Sequence, residues 1–242
     1  MPMLVICLPT FNESENIEHM VHALGSVLEE HGLAGLVLVI DDNSPDGTGQ
    51  IADRLAAELS FVRVLHRPAK QGLGPAYLAG FEQALALEAD LVAQIDCDFS
   101  HDPSDLARLI AASKAADLVL GSRYVEGGGV RNWSLARRLI SRFGCFYARL
   151  ILGLPVRDLT GGFKCFRRPV LEALAFDRIT SKGYAFQIEV TYRAANAGFR
   201  VSEIPIVFTD RTLGRSKMSR SIVFEALGRV LSLRVRSSFG RL

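Results

Sequence analysis

Asp96 and Asp98, separated only by Cys97, follow the apolar run Leu91-Val92-Ala93-Gln94-Ile95 and precede Phe99-Ser100-His101-Asp102-Pro103. The run predicts a buried strand, and ligands gather at the carboxyl ends of strands in an open α/β sheet. Two carboxylates ending such a strand repel each other and lose solvation unless a cation joins them. Hard oxygen ligands select Mg²⁺ or Mn²⁺, and Mg²⁺ is commonly held by one or two carboxylates plus substrate phosphates. Helix capping accounts for Asp102, just before a Pro suited to a first helical turn. It leaves Asp96 and Asp98 unexplained, so they are expected to hold a metal beside phosphate groups.

A second run, Leu36-Val37-Leu38-Val39-Ile40, also ends in acids, within Asp41-Asp42-Asn43-Ser44-Pro45-Asp46-Gly47. A carboxylate just after an early strand can accept hydrogen bonds from a ribose or a base edge. The same stretch is rich in turn formers, and a tight turn would place Asp42 in a crevice. The first run, Met3 to Leu8, ends in Pro9-Thr10-Phe11-Asn12-Glu13. Three parallel strand ends thus carry polar side chains to one edge of a sheet.

The elements that must position these residues alternate. Helices are predicted from Ser14 to about Glu30, through Ile51, Leu55 and Leu59, through Tyr77, Phe81 and Leu85, and from Pro103 to Ala115. Further strands are predicted over Phe61–His66 and Leu118–Gly121. Such alternation implies an α/β fold, a mostly parallel sheet with helices on both faces. Gly72-Leu73-Gly74 follows the third strand and runs into Pro75 and Ala76, so it is not a dinucleotide fingerprint. It either turns closely around part of a nucleotide site or simply joins strand to helix.

Gly121-Ser122-Arg123-Tyr124 ends the fifth strand with an arginine, and the glycine-rich loop Glu126 to Trp133 follows. Ser134 is a good N-cap for a helix over 135–152. Leu135, Leu139, Ile140, Phe143, Phe146, Tyr147, Leu150 and Ile151 fall in one half of its wheel, and Arg137, Arg138, Arg142 and Arg149 in the other. An apolar face opposite a basic one suits an interface with anionic headgroups. For the helix alone, an apolar face packed on the sheet with solvated arginines fits equally well. The hinged loop and Trp133 favour the membrane.

The 242 residues are 49% hydrophobic and 22% charged, ordinary for a globular protein. Formal net charge is +2, unevenly spread: residues 211–242 hold eight Lys or Arg and one acid, and the first 210 hold 20 basic and 25 acidic residues. The tail favours an anionic surface or ligand. Four cysteines without a Cys-x-x-Cys pair argue against zinc and for free thiols in a reducing compartment. The start of the chain lacks signal-peptide features, and no apolar run approaches the roughly 18–20 residues that span a bilayer. The protein is therefore expected in the cytoplasm, with peripheral membrane contact on the cytoplasmic face, and no nucleic-acid partner is expected.

Assembled, these residues resemble the inverting family 2 glycosyltransferases of GT-A fold, and among them the dolichol- or polyprenol-phosphate mannosyltransferases. The carrying blocks are Leu8 to Glu13, Asp41 to Thr48, Gly72-Leu73-Gly74, Asp96 to His101 and Gly121 to Tyr124, then Asp158 to Lys164, Gly183 to Glu189 and Arg211 to Lys217. The resemblance implies a catalytic domain over 1–210 and a basic lid with a C-terminal amphipathic helix over 211–242. It implies GDP-mannose as donor, with Pro9, Phe11, Glu13, Ile40 and Asp42 holding the nucleoside. Asp96 and Asp98 would hold Mg²⁺ or Mn²⁺, with Cys97 lending its backbone, while Arg211 and Lys217 close over the diphosphate. Dolichyl or polyprenyl phosphate would be the acceptor, guided by Arg123 and Arg131, and inversion would give a β-mannosyl phospholipid. Ser100 stands where the family often has a metal-assisting Gln, and Phe11 where Tyr is common.

Three other readings remain open on the motifs alone: a UDP-glucose or other nucleotide-sugar donor, a non-catalytic sugar-nucleotide-binding regulator, and a structural membrane-associated subunit. Membrane attachment can be direct or through a membrane-spanning partner subunit.

Overall fold

A computed structural model describes residues 2–181, 183–210 and 220–238, with side chains of the last helix over 227–237. Strands β1 (Leu4–Thr10), β2 (Gly35–Asp41), β3 (Val62–His66) and β4 (Leu91–Gln94) alternate with helices α1 (Ile17–Glu30), α2 (Thr48–Glu58) and α3 (Leu73–Ala86). Helix α4 (Asp105–Ala112), strand β5 (Leu118–Ser122), the short β6 (Gly129–Arg131) and helix α5 (Leu135–Leu152) follow. The last third adds β7 (Lys164–Arg167), α6 (Arg168–Ala173), α7 (Gly183–Asn196), β8 (Val201–Pro205), β9 (Val207–Thr209) and α8 (Arg220–Ser238).

Seven strands form one sheet in the order β3-β2-β1-β4-β7-β5-β8, and β6 pairs with β9 in a small second sheet. Only β7 runs antiparallel in the main sheet, inserted between β4 and β5. The chain steps outward from β1 to β2 to β3, then crosses back over α3 to lay β4 on the other side of β1. The carboxyl ends of β1 and β4 therefore flank the point where strand order reverses, which opens a crevice.

Side-chain alternation along β1 divides the core. Leu4, Ile6 and Leu8 pack with Ile17, Met20 and Val21 of α1, Leu55 of α2 and Leu109 of α4. Val5 and Cys7 pack on the opposite face with Tyr77 and Phe81 of α3, Phe186 of α7 and Val230 of α8. The expected strands and helices are present with shifted ends. Asp102 accepts from the backbone and hydroxyl of Ser104, so it caps the turn that leads into α4.

For helix α5 the reading in which the apolar face packs on the sheet fails. Its buried residues are the small Cys145 and Ala148 with Leu152. Leu135 is 70% exposed, Phe143 and Phe146 60% and Leu150 67%, beside the exposed Arg138, Arg142 and Arg149. The large apolar face does not pack on the sheet. Among the described residues, no helix is long and apolar enough to cross a membrane.

Candidate active site

A cavity of about 440 Å³ opens at the crevice between β1 and β4. One end of it is built by two loops fastened together. Asn12 N donates to Ser44 Oγ at 3.1 Å, Glu13 N to Thr48 Oγ1 at 2.9 Å, and Ser14 N to Asp46 Oδ2 at 3.1 Å. Asn12 and Asn43 hold φ values of +59° and +57°, the left-handed conformation that asparagine tolerates best after glycine. Asp41 is the inner acid, accepting from Thr10 and Ser44 within the loop. Asp42 lines the cavity and is ion-paired to Arg67.

Pro9, Phe11 and Glu13 line the same end, and Lys70 Nζ lies 3.7 Å from the Phe11 ring centroid. Ile40 does not join them. It is fully buried, its side chain belongs to the core beneath α3, and its carbonyl accepts from Thr10 Oγ1 at 3.4 Å. An inward position in the strand pleat wins over the sequence-based expectation of nucleoside contact.

Asp96, Cys97 and Asp98 sit at the centre of the cavity. Tyr77, on the first turns of α3, donates its hydroxyl to Asp96 Oδ1 at 2.9 Å, and Asp98 Oδ1 accepts from Ser100 N at 3.1 Å. Burial and the Asp96 charge raise the Tyr77 phenol, so it stays a donor. Opposite, a Cβ at Gly162 would stand 3.1 Å from Asp96 Oδ2; glycine leaves this carboxylate oxygen the room a ligand needs. Two hard carboxylates with such a cradle fit a divalent cation whose remaining ligands come from phosphate and water. Among the described residues no group of three or more His, Cys, Asp or Glu could hold a metal ion. The Cys97 thiol between Asp96 and Asp98 is buried, and that burial pushes its pKa well up.

The loop glycines divide their work. Gly72, at φ +103°, lines the cavity, and a Cβ on Gly74 would meet Ser181 O at 2.9 Å, so that glycine lets α3 approach the segment before α7.

The other flank is aromatic and cationic. Arg123 is buried and donates Nε to Asp158 Oδ2 and Nη2 to Asp158 Oδ1, both at 2.7 Å, and Nη2 also to Thr160 at 2.7 Å. Burial alone would raise the Asp158 carboxyl, but the Arg123 guanidinium outweighs it and holds the pKa below the usual range. Arg123 thus lines the cavity with its charge already matched, over the rings of Tyr124, Trp133 and Phe208. Arg131 is exposed on β6 and is not part of the cavity wall, contrary to the sequence-based expectation. The turn into α5 brings Arg137 there instead, 4.2 Å from the Trp133 centroid and paired with Asp210 at 2.6 Å. Arg211 and Lys217 lie outside the described residues. The chain that leads to them runs along the rim: Phe208 lines the cavity and Thr209 N donates to Ser100 O at 3.0 Å.

Tyr77, which bonds Asp96, and Lys70, which lines the cavity, carried no signal in the sequence, whereas His101 and Gln187 stood inside two of the blocks that carry the resemblance but had no role of their own there. His101 lies buried between Phe163 and Phe208, and burial, helped by Arg123, drops its pKa to about 4. Glu189, within the Gly183 to Glu189 block, is turned away from chemistry, accepting from Ser181 N and Arg193.

A doubly wound sheet with paired acids at its switch point and cations around them defines a nucleotide-diphosphate-sugar binding fold of GT-A type. The profile described as "Glycosyl transferase family 2" matches residues 5–175, and the chain belongs to that family. It is 46% identical, over 98% of its length and 89% of the relative's, to polyprenol monophosphomannose synthase of Mycolicibacterium smegmatis. It is 47% identical, over 91% of its length and 89% of the relative's, to undecaprenyl-phosphate mannosyltransferase of Micrococcus luteus. Glucosyl-3-phosphoglycerate synthase of Mycobacterium tuberculosis, solved with Mn²⁺, UDP and phosphoglyceric acid, superposes with a TM-score of 0.69 at 20% identity, over 96% of this chain and 78% of that one.

Proposed function

We propose that the protein transfers mannose from GDP-mannose to the phosphate of a polyprenyl or dolichyl lipid, giving a β-mannosyl phospholipid with inversion. The observation that carries this reading is near-full-length identity of 46–47% to two enzymes named as polyprenol-linked mannose synthases. The cavity's paired acids and the apolar face of α5 support it.

Phe11, Glu13 and Asp42 hold the nucleoside; Asp96 and Asp98 hold Mg²⁺ or Mn²⁺, which when bound offsets the charge gathering on the leaving diphosphate. Arg211 and Lys217 add charge-assisted bonds to the same phosphates. Arg123 and Arg137 orient the acceptor phosphate, an anion near neutral pH that needs little help from a base. Helix α5 rests on an anionic membrane surface at the cytoplasmic face, directly or beside a membrane-spanning partner subunit. Residues 1–210 form the catalytic domain, and 211–242 the lid and the helix that follows it.

The test is a panel of radiolabelled sugar nucleotides incubated with polyprenyl phosphate and Mg²⁺ or Mn²⁺, scored for labelled lipid. GDP-mannose is expected to give the label. Label from UDP-glucose alone would move the donor assignment, and no labelled lipid from any donor would end the transferase reading.

A further inference from the structure

Gln187 projects from α7 into the wall of the cavity and is only 2% exposed. Its amide orientation is fixed by a neighbour. The Gly162 carbonyl can only accept, so Gln94 must present Nε2 to it, at 2.8 Å. The same Gln94 nitrogen meets Gln187 Oε1 at 2.7 Å. Gln187 is therefore held by its oxygen, and its Nε2 is buried without a hydrogen-bond partner among the described residues. The backbone beneath is also pinned, since Lys164 Nζ donates to Gln187 O at 2.8 Å. A rigidly held, unpartnered amide donor in a cavity wall is poised for a ligand acceptor, because a buried polar group left unpaired is costly.

The ligand group follows from position. Gly162, whose carbonyl anchors this network, also lies against Asp96, since a Cβ there would stand 3.1 Å from Asp96 Oδ2. The network therefore abuts the carboxylates assigned to the metal and diphosphate, and the next group along a nucleotide sugar is its hexose. We propose that Gln187 Nε2 donates a hydrogen bond to a hydroxyl of the donor's hexose, so that the cavity recognises the sugar separately from the nucleotide. This rests on the nucleotide-sugar reading above.

The test compares GDP with GDP-mannose by titration calorimetry on the full chain with Mg²⁺ present. Gln187→Glu keeps an acceptor for Gln94 but loses the free donor; Gln187→Leu removes both. GDP affinity is expected to stay within about twofold of the parent, while GDP-mannose affinity falls by about threefold to tenfold, the worth of one neutral hydrogen bond. Equal losses for both ligands, or no loss for either, would overturn the proposal. If neither variant folds, the parent labelled with ¹⁵N-glutamine decides. Its Gln187 side-chain signals should move on adding GDP-mannose and not on adding GDP, and identical responses overturn the proposal. Should the parent bind a different sugar nucleotide in the panel, the donor identity fails. Gln187 is then tested with that nucleotide sugar against its own diphosphate.

Discussion

Asp98 and Asp96 line the centre of the cavity, one residue apart at the end of β4. Asp98→Ala is expected to lower transfer by roughly a hundredfold or more, the scale for losing a group that stabilises developing charge, with Asp96→Ala somewhat milder. Both variants should unfold at parental temperature. Full activity of Asp98→Ala in chelator-treated buffer would remove the metal assignment. Arg211→Ala and Lys217→Ala each remove one charge-assisted contact, so donor affinity should drop by roughly tenfold to a hundredfold; normal donor binding by both would make that segment a mere connector. His101 gives a different signal, in stability. Its folded pKa of about 4 lies below the ordinary value near 6.5, so between these values the unfolded chain binds more protons than the folded one. Its stabilising contribution is complete above about pH 6.5 and is lost as pH falls through 4, on the order of 3 kcal/mol. Urea unfolding at pH 4.5 and 7 should show this slope in the parent and a smaller one in His101→Gln. An unchanged slope would place the acid sensitivity elsewhere. The Arg123–Asp158 pair does not blur the comparison, because a carboxyl held below its usual range titrates beneath this window.

At the scale of elements, apolar runs ending in polar residues, acids in two of the three, were enough to locate β1, β2 and β4 and to bring their carboxyl ends to one edge. The run Lys164-Cys165-Phe166-Arg167 gave no comparable signal. It is four residues with a cation at each end, and Lys164 is fully buried only because Gln187 O and Thr191 Oγ1 receive its ammonium. Strand β7 exists through tertiary pairing with β4 and β5 rather than through its own pattern. Helix α5 shows the converse. Its periodicity fixed its ends and its two faces, but periodicity cannot say what an apolar face packs against. Here the core is reached through Cys145, Ala148 and Leu152, while Leu135, Leu139, Phe143, Phe146 and Leu150 stay outside. Sedimentation with anionic liposomes should therefore fall steeply as salt rises, since each Lys or Arg near such a surface contributes about 1 kcal/mol that salt screens. Arg138→Glu with Arg142→Glu should weaken binding at low salt. Arg137 is left out of this pair because it is committed to Asp210 and the cavity. Phe143→Ser with Phe146→Ser should weaken binding at every salt concentration, because burial of aromatic area does not depend on ions. Salt-insensitive recovery that needs a second protein would substitute a partner subunit for the lipid.

The whole molecule joins these two chemistries at one place. The cavity opens at the sheet's switch point, and α5 forms part of its wall through Arg137, Ile140, Ser141, Gly144 and Tyr147. Ile140 belongs to both, lining the cavity while 48% exposed on the helix's outer face. Helix α8 closes the arrangement from behind: Tyr147 donates to Leu227 O at 3.3 Å, and Val230 and Leu233 are buried. A phosphate at the cavity's cationic flank would thus have its hydrocarbon tail leaving along the exposed apolar face of α5, and the loop-built end would be left for the donor. The proposed docking of α5 on a membrane therefore makes a prediction separate from that of the catalytic cavity. Phe143→Ser with Phe146→Ser should lower transfer to long-chain polyprenyl phosphate in vesicles by at least about tenfold, given roughly 1.5–3 kcal/mol for each buried aromatic side chain. Transfer to a short, water-soluble prenyl phosphate should stay near the parental rate, and GDP affinity should not change. Equal loss on both acceptors would show that α5 shapes the site instead of docking it. No loss on either would leave the exposed face without a part in the reaction.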